Sequence, residues 1–215
     1  MSVDSTLYRS IGNLTDWLVR FSIAMVILSI FSMAAAFFVT FSGAIDDSQW
    51  TIADTIDTFI ILISIPIFIV FLVWFYRAVK NINSFGAKYV NSPGMAVVWW
   101  FIPIMNLWKP YEVAQQIWMT SNPEIMLTEG TEWRKVPRSN IITIWWVLGL
   151  VSIFSANVVD VVFDPRQAQN PHLMSLYLNV ATIPTVVISI ISIIYFMRMI
   201  RQISIWQEVK SGTSV

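Results

Sequence analysis

Four long apolar stretches divide the chain, at about residues 17–41, 57–79, 141–163 and 175–197. Each approaches or exceeds the roughly 20 mostly apolar residues that a membrane-crossing helix requires, so each predicts one span. The first contains a single charge, Arg20, near its start, and its apolar core begins too late and runs too long for a cleaved signal. It is expected to be retained. Pro66 and Pro184 lie inside the second and fourth stretches, where neighbouring helices can satisfy the carbonyl that a proline frees. A further run, Met95–Met105, is interrupted only by Pro103 and gives way to Asn106, Lys109 and Pro110. It is about half the length of a span, yet too apolar for an ordinary loop.

That short run belongs to a segment, 92–120, with two different patterns. Ser92-Pro93-Gly94 breaks any helix continuing from the second span. Met95–Ile102 has no polar face, so it needs apolar surroundings on every side. Pro103 removes a backbone donor, and the Asn106 amide can satisfy a freed backbone group. After Pro110, well suited to a first helical turn, Tyr111, Ala114, Ile117 and Trp118 recur at helical spacing. Glu112, Gln115 and Gln116 cover the other side, and Ser121-Asn122-Pro123 ends the amphipathic helix. Two readings stay open: a short reentrant helix followed by an interfacial one, or a cap packed on the four spans.

Charge decides where the segment begins and ends. With four spans and the N-terminus inside, twelve of the 13 Lys and Arg residues fall on the cytoplasmic side, leaving only Arg166 outside. Cationic loops mark the cytoplasmic face. A fifth crossing at 92–118 would split the cations 6 against 7 and erase the bias. The segment therefore enters and leaves on the cytoplasmic side, where ten of the 11 Trp also fall; only Trp50 lies outside.

Composition agrees and excludes chemistry. Of 215 residues, 56% are hydrophobic and 12% charged, with mean hydropathy +0.66; soluble domains carry about 25% charged residues. Net charge is zero, so no electrostatic case for nucleic acid arises. The absence of Cys removes thiolate, disulfide and iron–sulfur chemistry, and a single His, His172, disfavours haem and most transition-metal sites. No phosphate-binding loop, dinucleotide fingerprint or zinc-protease motif occurs. The chain is expected to hold no cofactor and to be no enzyme.

The spans also echo one another. Leu28–Phe38, LSIFSMAAAFF, matches Val151–Phe163, VSIFSANVVDVVF, and Ile65-Pro66 followed by Phe75-Tyr76-Arg77 matches Ile183-Pro184 followed by Tyr195-Phe196-Met197-Arg198. This predicts two hairpins in parallel orientation, an internal repeat of the kind some transporters show. The segment Gly86–Arg138, which includes 92–120, is then an insert between the halves.

Around the insert, Trp74-Phe75-Tyr76-Arg77-Ala78 with Asn81, then Gly86-Ala87, Ser92-Pro93, Ala96-Val97, Trp99-Trp100-Phe101-Ile102-Pro103, Asn106-Leu107, Pro110-Tyr111 and Ile117-Trp118 form a specific string. It resembles the central motif of a bacterial membrane family, domain of unknown function 4328, over about Trp74–Pro123. The resemblance implies a multi-spanning bacterial membrane protein and lends no activity. That family often carries an acidic residue and an arginine near Ile117-Trp118; Gln116 and Met119 stand there in this chain.

The expected architecture is an all-α, single integral membrane domain over 1–215: four transmembrane helices as two hairpins, with a cytoplasmic-side reentrant or interfacial insert. It sits in the bacterial inner membrane with both termini cytoplasmic. The expected role is a non-catalytic accessory, scaffold or assembly subunit. Its partners are membrane lipids and other membrane proteins or a larger membrane complex. Candidate binding residues are Trp99, Trp100, Pro103, Asn106, Trp108, Tyr111 and Trp118, with Arg77 and Lys80 as headgroup or carboxylate ligands, or as anchors that snorkel. The alternative is a small transporter or channel using Asp57, Asn157, Asp160 and Asn179, polar residues toward the outer ends of spans.

Overall fold

A computed structural model describes residues 8–42, 52–162 and 183–212. Every regular element among them is helical: α1 Gly12–Ser42, α2 Ile52–Ser84, α3 Pro93–Val98, α4 Lys109–Ser121, α5 Asn140–Val162 and α6 Ile183–Ser211, with 3-10 turns at Met105–Leu107 and Glu132–Lys135. Three helices are long and apolar enough to cross a membrane, through Gly12–Ala35, Thr55–Ser84 and Ile183–Ser211; Asn140–Ser155 of α5 is a shorter apolar stretch.

The expected stretches 17–41 and 57–79 lie inside α1 and α2, and 141–162 inside α5. Residues 163 and 175–182 lie outside the described residues. The helices outlast the apolar stretches, because loss of hydropathy is no helix stop. Helix α6 runs past Arg198 and Arg201 and ends at Ser211, ahead of Gly212, which takes a left-handed φ of +73°. Helix α2 ends at Ser84, ahead of the Ser92-Pro93-Gly94 break. Gly86 adopts φ 88°, the Ala87 N–H returns to the Ile82 carbonyl at 3.2 Å, and the last turn is closed by a left-handed glycine. Ser92 instead opens α3, its hydroxyl accepting from the Met95 N–H at 3.3 Å, with Pro93 in the first turn. Pro110 occupies the first turn of α4, and that helix stops at Ser121 as its sequence predicts.

The chain packs as two compact units. One comprises residues 1–19, 67–144 and 195–215, the other 20–66 and 145–194. The first holds an apolar core built from Ile11 and Leu18, from Trp74, Phe75, Ala78 and Ile82 of α2, from Val113, Ala114 and Ile117 of α4, and from Met199, Ile200 and Ile203 of α6, each 0–1% exposed. A smaller cluster, Ala87, Met119 and Trp133, lies beside the 3-10 turn at Glu132–Lys135. In the second unit, Ser22, Ser32 and Ser192 are the buried residues among those described.

Candidate functional site

The first unit is organised by buried side-chain amides. Asn81, fully buried, accepts the Arg9 N–H at 3.1 Å and donates to the Arg9 carbonyl at 2.9 Å and to Gln207 Oε1 at 2.8 Å. Gln207, equally buried, donates to the Ala78 carbonyl at 3.2 Å and to Ser121 Oγ at 3.0 Å. Four pieces of chain meet here: the residues before α1, then α2, α4 and α6. Both amides use every donor and place one bond on each oxygen, which is the condition for burying such groups without a desolvation penalty.

Three further ties hold the insert. Gln115 Nε2 donates to the Ser139 carbonyl at 2.9 Å while its Oε1 accepts the Ser139 N–H at 2.8 Å, so one side chain serves the whole peptide face ahead of α5. Gln115 was expected on the polar side of α4. It is 1% exposed instead, because those two bonds replace the water it would otherwise need. Gln116 Oε1 accepts from the N–H and Nδ2 of Asn91, whose Oδ1 accepts Trp99 Nε1 at 3.2 Å. From α6, Lys210 Nζ donates to the carbonyls of Thr120, Asn122 and Ile125 at 2.8, 3.1 and 2.8 Å. A cation thereby closes the C-terminal end of α4, where helix carbonyls lack intrahelical donors.

On this frame the candidate binding residues separate. Trp100 packs edge-on against Phe71, Phe75 and Phe68, with ring centroids at 5.1, 5.9 and 5.9 Å. Trp118 meets Trp206 at 4.6 Å. The Tyr111 hydroxyl shares a hydrogen bond with Thr143 Oγ1 at 3.2 Å, and the Arg138 guanidinium stands 5.8 Å from its ring. Burial alone would raise the Tyr111 pKa, but the Thr143 and Arg138 contacts carry it below the ordinary phenol value. Trp99 is spent on Asn91. Pro103 and Trp108 are exposed. Asn106 Oδ1 is buried without a hydrogen bond, so the expected service of its amide to a freed backbone group is not seen; its own N–H bonds the Ile102 carbonyl at 2.8 Å.

Arg77 and Lys80 come together with a residue that hydropathy did not single out. They line an open groove of about 410 Å³ with Arg9, Tyr76, Ile69, Leu72, Val73 and Val97. The ion pair formed among the described residues, Lys109–Glu112 at 2.7 Å, lies away from this groove, and none of the three groove cations forms an ion pair among those residues. Arg9 is held there by Asn81, which grips both its backbone groups. A single chain gives little sign that Arg9 and Arg77 are neighbours, since the amide joining their segments spans 72 residues.

The polar transport candidates are less complete. Asp57 Oδ1 accepts Ser32 Oγ at 2.6 Å, joining α1 to α2. The side chains of Asn157 and Asp160, and all of Asn179, lie outside the described residues. The acid near the 3-10 turn is tightly held: the Glu129 N–H donates to Glu132 Oε1 at 2.7 Å, and this with neighbouring backbone N–H groups lowers the Glu132 pKa to about 2.

No curated protein and no solved structure matches the chain. A family model does, across residues 41–204, which takes in α2 to α5, the insert and most of α6. The chain belongs to the family described as domain of unknown function (DUF4328).

Proposed function

We propose that this protein is a non-catalytic accessory or scaffold subunit of the bacterial inner membrane that binds other membrane proteins and lipids. It crosses four times with both termini cytoplasmic, and the insert dips into or lies along the inner leaflet. The supporting observation is the two-sidedness of the insert. From behind, Gln115, Gln116 and Lys210 fix it by buried and part-buried hydrogen bonds. Outward, Met95, Val98, Phe101, Ile104 and Leu107 are exposed, with Phe101 at 65% and Ile104 at 67%. A fixed frame presenting contiguous apolar side chains is suited to a partner helix or to lipid, since soluble surfaces rarely expose such patches. The charge bias supports the orientation, and the 23 residues of α5 supply about 35 Å of helix, enough for a fourth crossing.

Purification in a mild detergent tests the role. A stoichiometric membrane complex that is lost from a Phe101→Ser/Ile104→Ser variant, with the helical content unchanged, is the expected result. A protein that purifies alone sinks the accessory reading. For the topology, Thr128→Cys gives a unique thiol, and labelling of that thiol from outside the cell would exclude four crossings.

A further inference from the structure

We propose that the groove beside α2 binds one anionic glycerophospholipid, its phosphate held by Arg9, Arg77 and Lys80. The proposal rests on the membrane reading above and adds a ligand class to it. Residues 69, 72, 73, 76 and 80 follow the i, i+3, i+4 rule and form one stripe of α2. That stripe is ordered along the helix axis. Ile69, Leu72 and Val73 come first, then Tyr76 with its apolar ring and polar tip, then Arg77 and Lys80. From position 69 to 80 the rise is about 16 Å, the scale of a headgroup, a glycerol and the first carbons of an acyl chain. A groove of about 410 Å³ admits that portion of a lipid and leaves the tails outside.

Charge supplies the second argument. Three cations line one groove and none of them forms an ion pair among the described residues, an arrangement of like charges that an anion would relieve. Arg77 and Lys80 are half-buried, so they are not simply extended into water. The third cation is placed deliberately: the buried Asn81 amide fixes the Arg9 backbone, which brings a residue from before α1 against α2. A simple snorkelling anchor needs none of this. By contrast Arg198 and Arg201, the corresponding pair on α6, are exposed and take no part in this groove. The two helices that resemble each other in sequence thus differ where a headgroup would bind.

The test is an equilibrium titration of the full chain in maltoside detergent with dioctanoyl phosphatidylglycerol, dioctanoyl phosphatidylcholine and inorganic phosphate, with bound lipid counted by native mass spectrometry. One phosphatidylglycerol per chain is expected, with phosphatidylcholine and free phosphate each at least about 10-fold weaker. Arg77→Gln/Lys80→Gln should weaken phosphatidylglycerol roughly 10- to 30-fold, while Arg198→Gln/Arg201→Gln leaves it unchanged. If the double variant does not fold, Arg9→Gln replaces it, with a loss of about 5-fold expected. Equal affinity for the two lipids, or wild-type affinity in the groove variants, overturns the proposal; phosphate binding as tightly as the lipid makes this a free-anion site and overturns it too. Lipid discrimination without a co-purifying partner refutes the accessory role alone, and a partner without lipid discrimination refutes the groove alone.

Discussion

The two units of this chain bury different things. All 21 buried hydrophobic residues among those described belong to the unit of residues 1–19, 67–144 and 195–215. The other unit buries three serines and turns Ile27, Phe31, Phe59, Ile61, Leu62 and Val147 outward. In water the second pattern would be unstable, because the apolar area left exposed is the area whose burial drives folding. In hydrocarbon it is expected: lipid solvates Ile and Phe as well as a core does, so helices associate through small residues and local hydrogen bonds. Ser192 Oγ on the Trp145 carbonyl at 3.1 Å and Ser32 on Asp57 are contacts of that kind. The first unit combines an apolar core with the buried, hydrogen-bonded amides of Asn81, Gln115 and Gln207, the solution of a chain that also meets water. One sequence therefore carries two folding solutions, each matched to a solvent.

The sharpest way to break this contrast is to remove the amide at the centre of the first unit. Asn81→Leu strands Gln207 Oε1 in a fully buried position and releases Arg9 from α2. Each buried group left unpaired costs about 1–3 kcal/mol, so a loss of about 2–4 kcal/mol is expected, read as a lower melting point by tryptophan fluorescence in detergent. A variant melting like wild type would mean that the apolar core alone holds the unit.

A glycine offers the next largest effect in the same unit. Gly130 sits at φ 82°, and a Cβ there would collide with the Gly86 carbonyl oxygen and lie 2.9 Å from Lys88 Cγ. Its own carbonyl accepts the Lys88 N–H at 2.8 Å, so the collision cannot be relieved without losing that bond. Gly130→Ala should cost at least about 2 kcal/mol, the sum of left-handed backbone strain and a displaced loop. Faster amide exchange at Lys88 in the variant would place the damage there.

Much of the outline was legible because hydropathy and helix breakers act locally. The apolar stretches mark α1, α2, α5 and α6, and Pro110 and Ser121-Asn122-Pro123 mark the ends of α4. The true end of α6 was also written in the chain, since Gly212 is the first helix breaker after Pro184, but charge at Arg198 and Arg201 draws the eye to an earlier stop. The amides were not legible. Asn81 bonds Gln207 across 126 residues, and Gln115 has the same side chain as Gln116, so spacing assigns them equal exposure. Their burial follows from what stands opposite, which periodicity does not encode. The repeated SIFS stretch gives a middle case. Ser29 and Ser152 occupy matching places and perform the same act, bonding the carbonyls of Met25 and Leu148 at 2.9 and 2.8 Å.

The smallest predicted effect falls in the serine-lined unit and has the opposite sign. Gly149 lies inside α5, and a Cβ added to it would meet Ser192 Oγ at 3.6 Å, an ordinary van der Waals distance. Glycine inside a helix is less stable than alanine by roughly 0.5–1 kcal/mol, because the unfolded chain has more freedom to lose. Gly149→Ala should therefore raise the melting point slightly, where Gly130→Ala lowers it. The same substitution at two glycines then reports on two kinds of packing: one site demands a missing Cβ, the other merely leaves room for one. If Gly149→Ala destabilised the protein as much as Gly130→Ala, the α5–α6 contact would be as closely fitted as the core of the first unit, and the contrast drawn between the units would fail.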